Sequence, residues 1–419
     1  MPDRDRRRKR RKRRFRLTGC LCILAAAAGV MVLGSLVLPG TFRQIGSALR
    51  AALDETVEET VNATIRQETE FPELTVTAEE SESDFYYLQL GEEEQLIYRE
   101  LLQGVRNMEE SILLHAGRED RPEKIYEYLL YDRPELFWCA GSSRMTVYDD
   151  HTEFCPDYTC TPEEKAEKQL RIDEAVSACM EEVASGMSEY EKIRYVYEYL
   201  IETVDYDETA PDNQNIYSAL AGGRSVCAGY SRAAQYLLGE LGIECIYVVG
   251  TAQGQESHAW NIVNCGGAYY QMDVTFGDPV FLSAETGEEL PENIINYDYL
   301  CCTDEVILLD HTPSREVAYP VCDSNDLDYY RLNGLYYDSF DAQIILEAMN
   351  SSIYAGEEMF LCKFPSREVY AGAAAVMKED LFPKAARTLA SVYGLESVKY
   401  TYIEDETHNK IMVFWDYGS

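Results

Sequence analysis

Ser225-Val226-Cys227-Ala228-Gly229-Tyr230-Ser231, followed by His258-Ala259-Trp260-Asn261 and then Met272-Asp273-Val274-Thr275, is the part of this 419-residue chain whose reading decides the fold. A thiol, an imidazole and a carboxylate in that order are the parts of a nucleophile, its base and the group that orients the base. After Cys227 apolar residues recur at Ala233, Ala234, Leu237, Leu238 and Leu241, a helical period, with Gly222-Gly223 before it and Gly242 after it as start and stop. Cys227 therefore falls in the first turn of a buried helix. Unpaired backbone N–H groups and the helix dipole favour thiolate over thiol at such an end. Taken singly, a buried Cys is more often a small hydrophobe and a strand His more often structural. The conjunction points to chemistry.

Cys245 to Val249, His258 to Cys265 and Ala268 to Phe276 read as strands, and Gly266-Gly267 joins the last two as a favoured two-residue hairpin turn. With that turn Cys265 faces Ala268, Trp260 faces Asp273 and His258 faces Thr275. His258 and Asp273 then share a face as diagonal neighbours, about 7–8 Å apart at the backbone and within side-chain reach. Acyl transfer also needs donors for the developing oxyanion. The N–H of Cys227 is one, and Gln214 and Tyr217 are the side-chain candidates.

Several blocks occur in order around these residues: Tyr206-Asp207, Tyr217-Ser218-Ala219-Leu220, Val226 to Ser231, Leu241-Gly242-Ile243, His258 to Asn261 and Asp273-Val274-Thr275-Phe276-Gly277-Asp278-Pro279. Through them the stretch from Met187 to Pro279 resembles the transglutaminase-like superfamily, its bacterial branch in particular. The likeness extends upstream through Asp132 to Trp138 and downstream to about Cys322. The resemblance implies an α+β, papain-like thiol fold in which a nucleophile-bearing helix packs on an antiparallel sheet. Cys227 would be the nucleophile, His258 the base and Asp273 the orienter. The chain departs from the branch at Ala228, where Gln is common, and at Phe276-Gly277, where Trp-Asp is common. Those positions bear on substrate contacts rather than on the triad.

The implied activity is acyl transfer on protein or peptide amides through a thioester. Water as acceptor makes a cysteine peptidase or amidase, and an amine makes a protein-crosslinking transglutaminase. A non-catalytic surface-binding or scaffold protein is the reading from another class. Such chemistry needs no organic cofactor and no metal, and no His/Cys spacing matches a zinc site. His115, His151, His311 and His408 are isolated in the sequence and read as structural or exposed.

The flanks set the expected context. Residues 1–16 hold eleven Lys/Arg and two Asp, and residues 17–38 hold no charge at all. Twenty-two residues make about 33 Å of helix, enough for a bilayer core of roughly 30 Å. The expectation is a basic cytoplasmic segment (1–16), a transmembrane signal anchor (17–38) and an acidic stalk (39–84), with the catalytic part extracytoplasmic at the cell membrane. Net charge is −37, which does not suit nucleic-acid binding. A helical accessory region over 85–185, with loops at Pro134 and Pro156, would precede the catalytic domain (186–325). A small α+β module (326–419) would follow, with a hairpin turn at Asn333-Gly334. The 32 tyrosines allow glycan or cell-wall contact, although Tyr also fills ordinary cores. Thirteen cysteines leave disulfide pairing open, and nothing in the sequence sets an oligomeric state.

Overall fold

Residues 70–253, 256–278 and 294–417 are described in the computed structural model, which mixes helix and sheet. Helices α1 (Glu92–Arg106) and α2 (Pro122–Asp132) pack with β1 (Ile112–Leu114), β2 (Cys139–Val147) and β3 (Thr152–Tyr158), a sheet of order β1-β3-β2. Ile97, Leu101, Ile112, Phe137 and Phe154 form its core. The region 85–185, expected to be mainly helical, thus carries a three-stranded sheet beside its helices. Strand β2 is exposed along most of its length, so it shows no apolar alternation to read. Pro156, expected in a loop, lies within β3. It is tolerated because β1 pairs only with residues 152–154, leaving one face of the Pro156 backbone without a neighbouring strand.

Two long helices follow, each started by a capping box. Helix α3 (Pro162–Glu181) begins at Thr161 and α4 (Glu189–Thr203) at Ser188, whose hydroxyl accepts from the Glu191 N–H. Helix α4 buries Ile193, Val196, Tyr197 and Leu200 in one core with Tyr230, Ala233, Ala234, Leu237 and Leu238 of α5 (Cys227–Glu240). Each leucine fully buried in this way contributes about 1.5–3 kcal/mol. The short parallel pair β4 (Asp205–Tyr206) and β5 (Arg224–Ser225) delivers the chain to the start of α5.

Helix α5 lies on an antiparallel sheet of order β8-β7-β6-β9, made of β6 (Cys245–Ala252), β7 (Glu256–Cys265), β8 (Ala268–Met272) and β9 (His311–Pro313). Gly266 and Gly267 turn the β7–β8 hairpin at φ 63° and 85°, values that favour glycine. The register runs from Cys265↔Ala268 to Asn261↔Met272. The strand expected to reach Phe276 stops at Met272, because Asp273 instead caps the single-turn helix α6 (Val274–Gly277). Helix α7 (Asp304–Ile307) lies between this turn and β9.

The C-terminal elements are α8 (Tyr329–Leu332), α9 (Ala342–Ala355), β10 (Met359–Lys363), α10 (Arg367–Val376), α11 (Phe382–Tyr393), β11 (Tyr400–Asp405) and β12 (Lys410–Trp415), with sheet order β10-β12-β11. Asn333-Gly334 does not turn a hairpin. It ends α8: Gly334 takes φ 70°, and the Leu335 N–H returns to the Tyr330 carbonyl at 2.7 Å.

A buried ion cluster ties this sheet to the segment before it. Asp298 is buried, and it accepts from Lys363 Nζ at 2.6 Å and also from Lys410 Nζ. Burial alone would raise its carboxyl, but the two ammonium groups hold it well below the usual carboxylate range. Asp298→Asn leaves both cations buried without a counter-charge, and is expected to cost about 3–5 kcal/mol in urea unfolding. A depressed carboxyl contributes its stability above the unfolded value, near 4, and loses it as pH falls through the folded value. The gap between wild type and variant should therefore narrow on acidification below about pH 4.

No helix among the described residues is long and apolar enough to cross a membrane, so the expectation of a single-pass membrane placement with a signal anchor is corrected to one without support among the described residues. Helix α3 has the length, at 20 residues, but carries Glu and Lys throughout. Residues 17–38, with the basic segment before them and the stalk up to residue 69, lie outside the described residues. The eleven described cysteines are all free thiols.

Candidate active site

The start of α5 is held from below. The Val226 N–H and the Ser225 hydroxyl both donate to the Asn213 carbonyl, at 3.1 and 2.7 Å. A Cβ on Gly229 would lie 1.8 Å from Ser225 Oγ, so glycine lets the first turn seat on that serine. From the other side, Ser231 Oγ donates to the Ala259 carbonyl at 2.8 Å, and Asn261 Nδ2 donates to the Ser231 carbonyl at 3.0 Å. These bonds clamp α5 to β7 beside His258. Cys227 is left half-buried at the helix start.

His258 Nε2 donates to Asp273 Oδ2 at 2.6 Å. That commits Nε2 and leaves Nδ1 as the ring nitrogen available to a thiol. Burial would depress the imidazole, but the charge and hydrogen bond of Asp273, followed by Cys227, push it up to about 10. Burial would likewise raise the Asp273 carboxyl, but His258 and a second imidazole hold it well below the usual range. Asp273 Oδ1 accepts the Phe276 N–H at 3.1 Å, so the cap of α6 fixes how the carboxylate points. Trp260 stacks on His258 at 6.0 Å and Phe276 meets it edge-on at 5.1 Å, walling the ring from solvent.

Cys227, His258 and Asp273 are thus brought together. The two oxyanion candidates make contacts of their own. Gln214 is exposed, its carbonyl accepting from Arg232, on a cavity of about 290 Å³ shared with Arg133 and Asn215. The Tyr217 hydroxyl accepts from Arg171 Nη1 at 2.6 Å, and Lys168 lies 4.9 Å from its ring. A phenol that the sequence reading passed over, Tyr247 on β6, lies beneath Arg232 of α5, whose guanidinium stands 5.0 Å from its ring. Burial, opposed by Arg232 and reinforced by Cys227, pushes its hydroxyl up to about 12, so it keeps its proton and remains a donor. Tyr247 pairs with Asn261, whose side chain faces α5, and that parity was the available signal.

His311, read from the sequence as structural or exposed, is buried beside the site. Strand β9 adds to β6 with Ala252↔His311 and Gly250↔Pro313 in register. This puts His311 Nε2 at 2.9 Å from Asp273 Oδ2 and Nδ1 at 2.5 Å from Asp310 Oδ1. The Tyr299 hydroxyl donates to the other Asp310 oxygen. Gly250 makes the approach of β9 feasible: a Cβ there would lie 2.3 Å from the Thr312 carbonyl oxygen and 2.8 Å from the Trp260 ring. Gly250→Ala is expected to push β9 away and to cost about 1–3 kcal/mol, read as a lowered urea midpoint. An unchanged midpoint would mean that the β6–β9 contact is dispensable.

Donor atoms of His258, Asp273 and His311 lie within 4.8 Å of one another, as do those of Asp298, Asp405 and His408. In the first group both imidazole N–H groups already occupy Asp273 Oδ2. In the second, Lys363 and Lys410 supply the positive charge. Neither group has a free negative charge to offer a cation.

Residues 177–274 match the family profile of the transglutaminase-like superfamily. This stretch belongs to the transglutaminase-like superfamily. The transglutaminase-like segment runs from the end of α3 to the first residue of α6 and contains Cys227, His258 and Asp273, whereas His311 lies beyond it. Among solved structures, one described as a TGase is similar at 16% identity over 39% of this chain and 50% of its own length, with a TM-score of 0.24. A structure from Cytophaga hutchinsonii, provisionally named a cysteine protease, is similar at 14% identity over 32% of this chain and 61% of its own, with a TM-score of 0.23. The chain thus spans about half to three fifths of these two solved chains. No curated protein matches it. The departure at Phe276-Gly277 has a local cause: a Cβ on Gly277 would lie 2.1 Å from the Tyr197 hydroxyl, which donates to the Asn296 carbonyl at 2.6 Å.

Proposed function

We propose that this chain is a thiol acyl-transfer enzyme acting on protein or peptide amides, with water as its main acceptor. The observation that supports it most is the 2.6 Å bond between His258 and the buried Asp273, beside a half-buried thiol at a helix start. Cys227 is the nucleophile, His258 the acid and base, and Asp273 the orienter. Sγ attacks the carbonyl carbon and a C–S bond forms. The backbone N–H of Cys227 and the Tyr247 hydroxyl serve as donors to the oxyanion. The C–N bond then breaks as His258 gives its proton to the departing amine. In the second half His258 takes a proton from water, whose oxygen attacks the thioester. The acid leaves and the thiol regains its proton. An amine in place of water would yield a new amide, the crosslinking outcome.

The segments 85–185 and 326–419 are read as accessory modules on either side of the catalytic stretch 186–325. Turnover of a glutamine-containing peptide library, with and without an excess of a primary amine, tests the assignment. Free acid should dominate in both arms. A dominant amine adduct would move the reading to crosslinking, and no turnover of any library member would remove the enzymatic reading.

A further inference from the structure

We infer that His311 is a positioning residue of this site: a buried imidazolium that holds Oδ2 of Asp273 and takes up part of its charge, so that the Cys227–His258 ion pair forms and dissolves at lower pH than Asp273 alone would set. The inference rests on the Cys-His-Asp reading proposed above. It starts from hydrogen-bond stoichiometry. Both ring nitrogens of His311 meet carboxylate oxygens, Nε2 that of Asp273 at 2.9 Å and Nδ1 that of Asp310 at 2.5 Å. A neutral imidazole has one N–H and would set its other lone pair against a carboxylate lone pair. The doubly protonated ring satisfies both contacts.

The His311 side chain is 0% exposed, so its charge is balanced by protein and not by water. Burial alone would drive the proton off, but the bonds to Asp273 and Asp310 outweigh it and raise the imidazole above its ordinary value. The titratable groups that face it are Asp310 beside it in the chain, Asp273 at the α6 cap, His258 on β7 with ring centres 5.2 Å apart, and Tyr299 at 5.7 Å. Trp260 and Phe276 close the rest of the pocket, at 5.1 and 4.5 Å.

Charge therefore alternates along the row: Asp310 negative, His311 positive, Asp273 negative and His258 positive. A second cation 5.2 Å from His258 opposes the proton that Asp273 invites onto it. A buried carboxylate alone strengthens the hold of His258 on the proton that a leaving amine must receive. His311 offsets this while keeping the carboxylate ionised and fixed.

The test is the pH dependence of Cys227 alkylation by iodoacetamide in the full chain, compared between wild type, His258→Ala and His311→Gln. The Gln side-chain amide keeps a neutral donor near the position of Nε2 and removes the charge. Wild type should show a low-pH reactive step that His258→Ala abolishes. In folded His311→Gln the step and its upper limit should both move up by about one to two pH units, from the loss of a cation at this separation. A merely structural role would lower the rate without moving either limb. Limbs that stay in place in a folded His311→Gln would overturn the inference and leave the triad standing. A wild type with no His258-dependent step would instead sink the triad reading, and this inference with it. Nitrogen-15 NMR of wild type decides the charge state even where the variant fails to fold. His311 should carry protons on both nitrogens at neutral pH, above where an ordinary imidazole loses one, and a single neutral tautomer there would contradict the inference.

Discussion

Asp273→Asn is expected to slow acylation by about 10²–10³-fold. In serine proteases the equivalent change costs about 10⁴ in turnover, because the imidazole is left in the wrong tautomer. A thiol ionises more readily than a hydroxyl, so less depends on the base here. The structure adds a second cost. Asp273 Oδ2 accepts from both His258 and His311, while Oδ1 accepts the Phe276 N–H. An asparagine has one oxygen. Placed toward the imidazoles, it turns its NH₂ against the Phe276 N–H. Placed toward the cap, it turns its NH₂ against two ring N–H groups. Either way a buried donor is left without an acceptor, at about 1–3 kcal/mol. Asp273→Asn should therefore lose both activity and some stability. His258→Ala should cost at least as much activity, since it removes the base itself. The double variant should be little worse than His258→Ala, because residues acting as a unit are not additive. Near wild-type rates in a folded Asp273→Asn would remove Asp273 from the mechanism. The assay is release of product from a reactive peptide amide, with urea curves alongside.

What was legible in the sequence is what is local. The helical period after Cys227 belongs to one element, and α5 spans Cys227–Glu240. The Gly266-Gly267 turn sets the β7–β8 register within a few residues of itself. His258 and Asp273 follow from that register, although Asp273 reaches the imidazole as a helix cap rather than as a strand residue. An Asp three residues before Phe276 carried the capping signal, and the apolar run around it hid that signal. His311 was illegible for a different reason. It reaches Asp273 because β9 adds to the far side of β6, a pairing of segments about sixty residues apart that leaves no periodic trace. The sheet of β1, β2 and β3 was missed because its strand β2 shows no alternation. Asn333-Gly334 was misread because a hairpin turn and a helix C-cap ask for the same left-handed glycine.

The second large effect concerns the sulfur. Cys227→Ala is expected to abolish thioester formation altogether. His258 and Asp273 would remain paired, and the fold should be retained because Ala fits wherever a half-buried Cys does. Residual turnover by water would reflect binding and the oxyanion donors alone. The other ten described cysteines offer a built-in control. Burial raises Cys245, Cys301, Cys302 and Cys362 above an ordinary thiol, which makes them poor nucleophiles. A reactive thioester probe at neutral pH should therefore distinguish Cys227 from these.

Intact-mass spectrometry after brief treatment with such an acyl probe is the most direct measurement. Wild type should gain one acyl group, mapped by digestion to Cys227, and lose it again in water within the time of the assay. Cys227→Ala should gain none. An equal adduct on Cys227→Ala, or a wild-type adduct on any other cysteine, would contradict the assignment of Cys227 as the nucleophile.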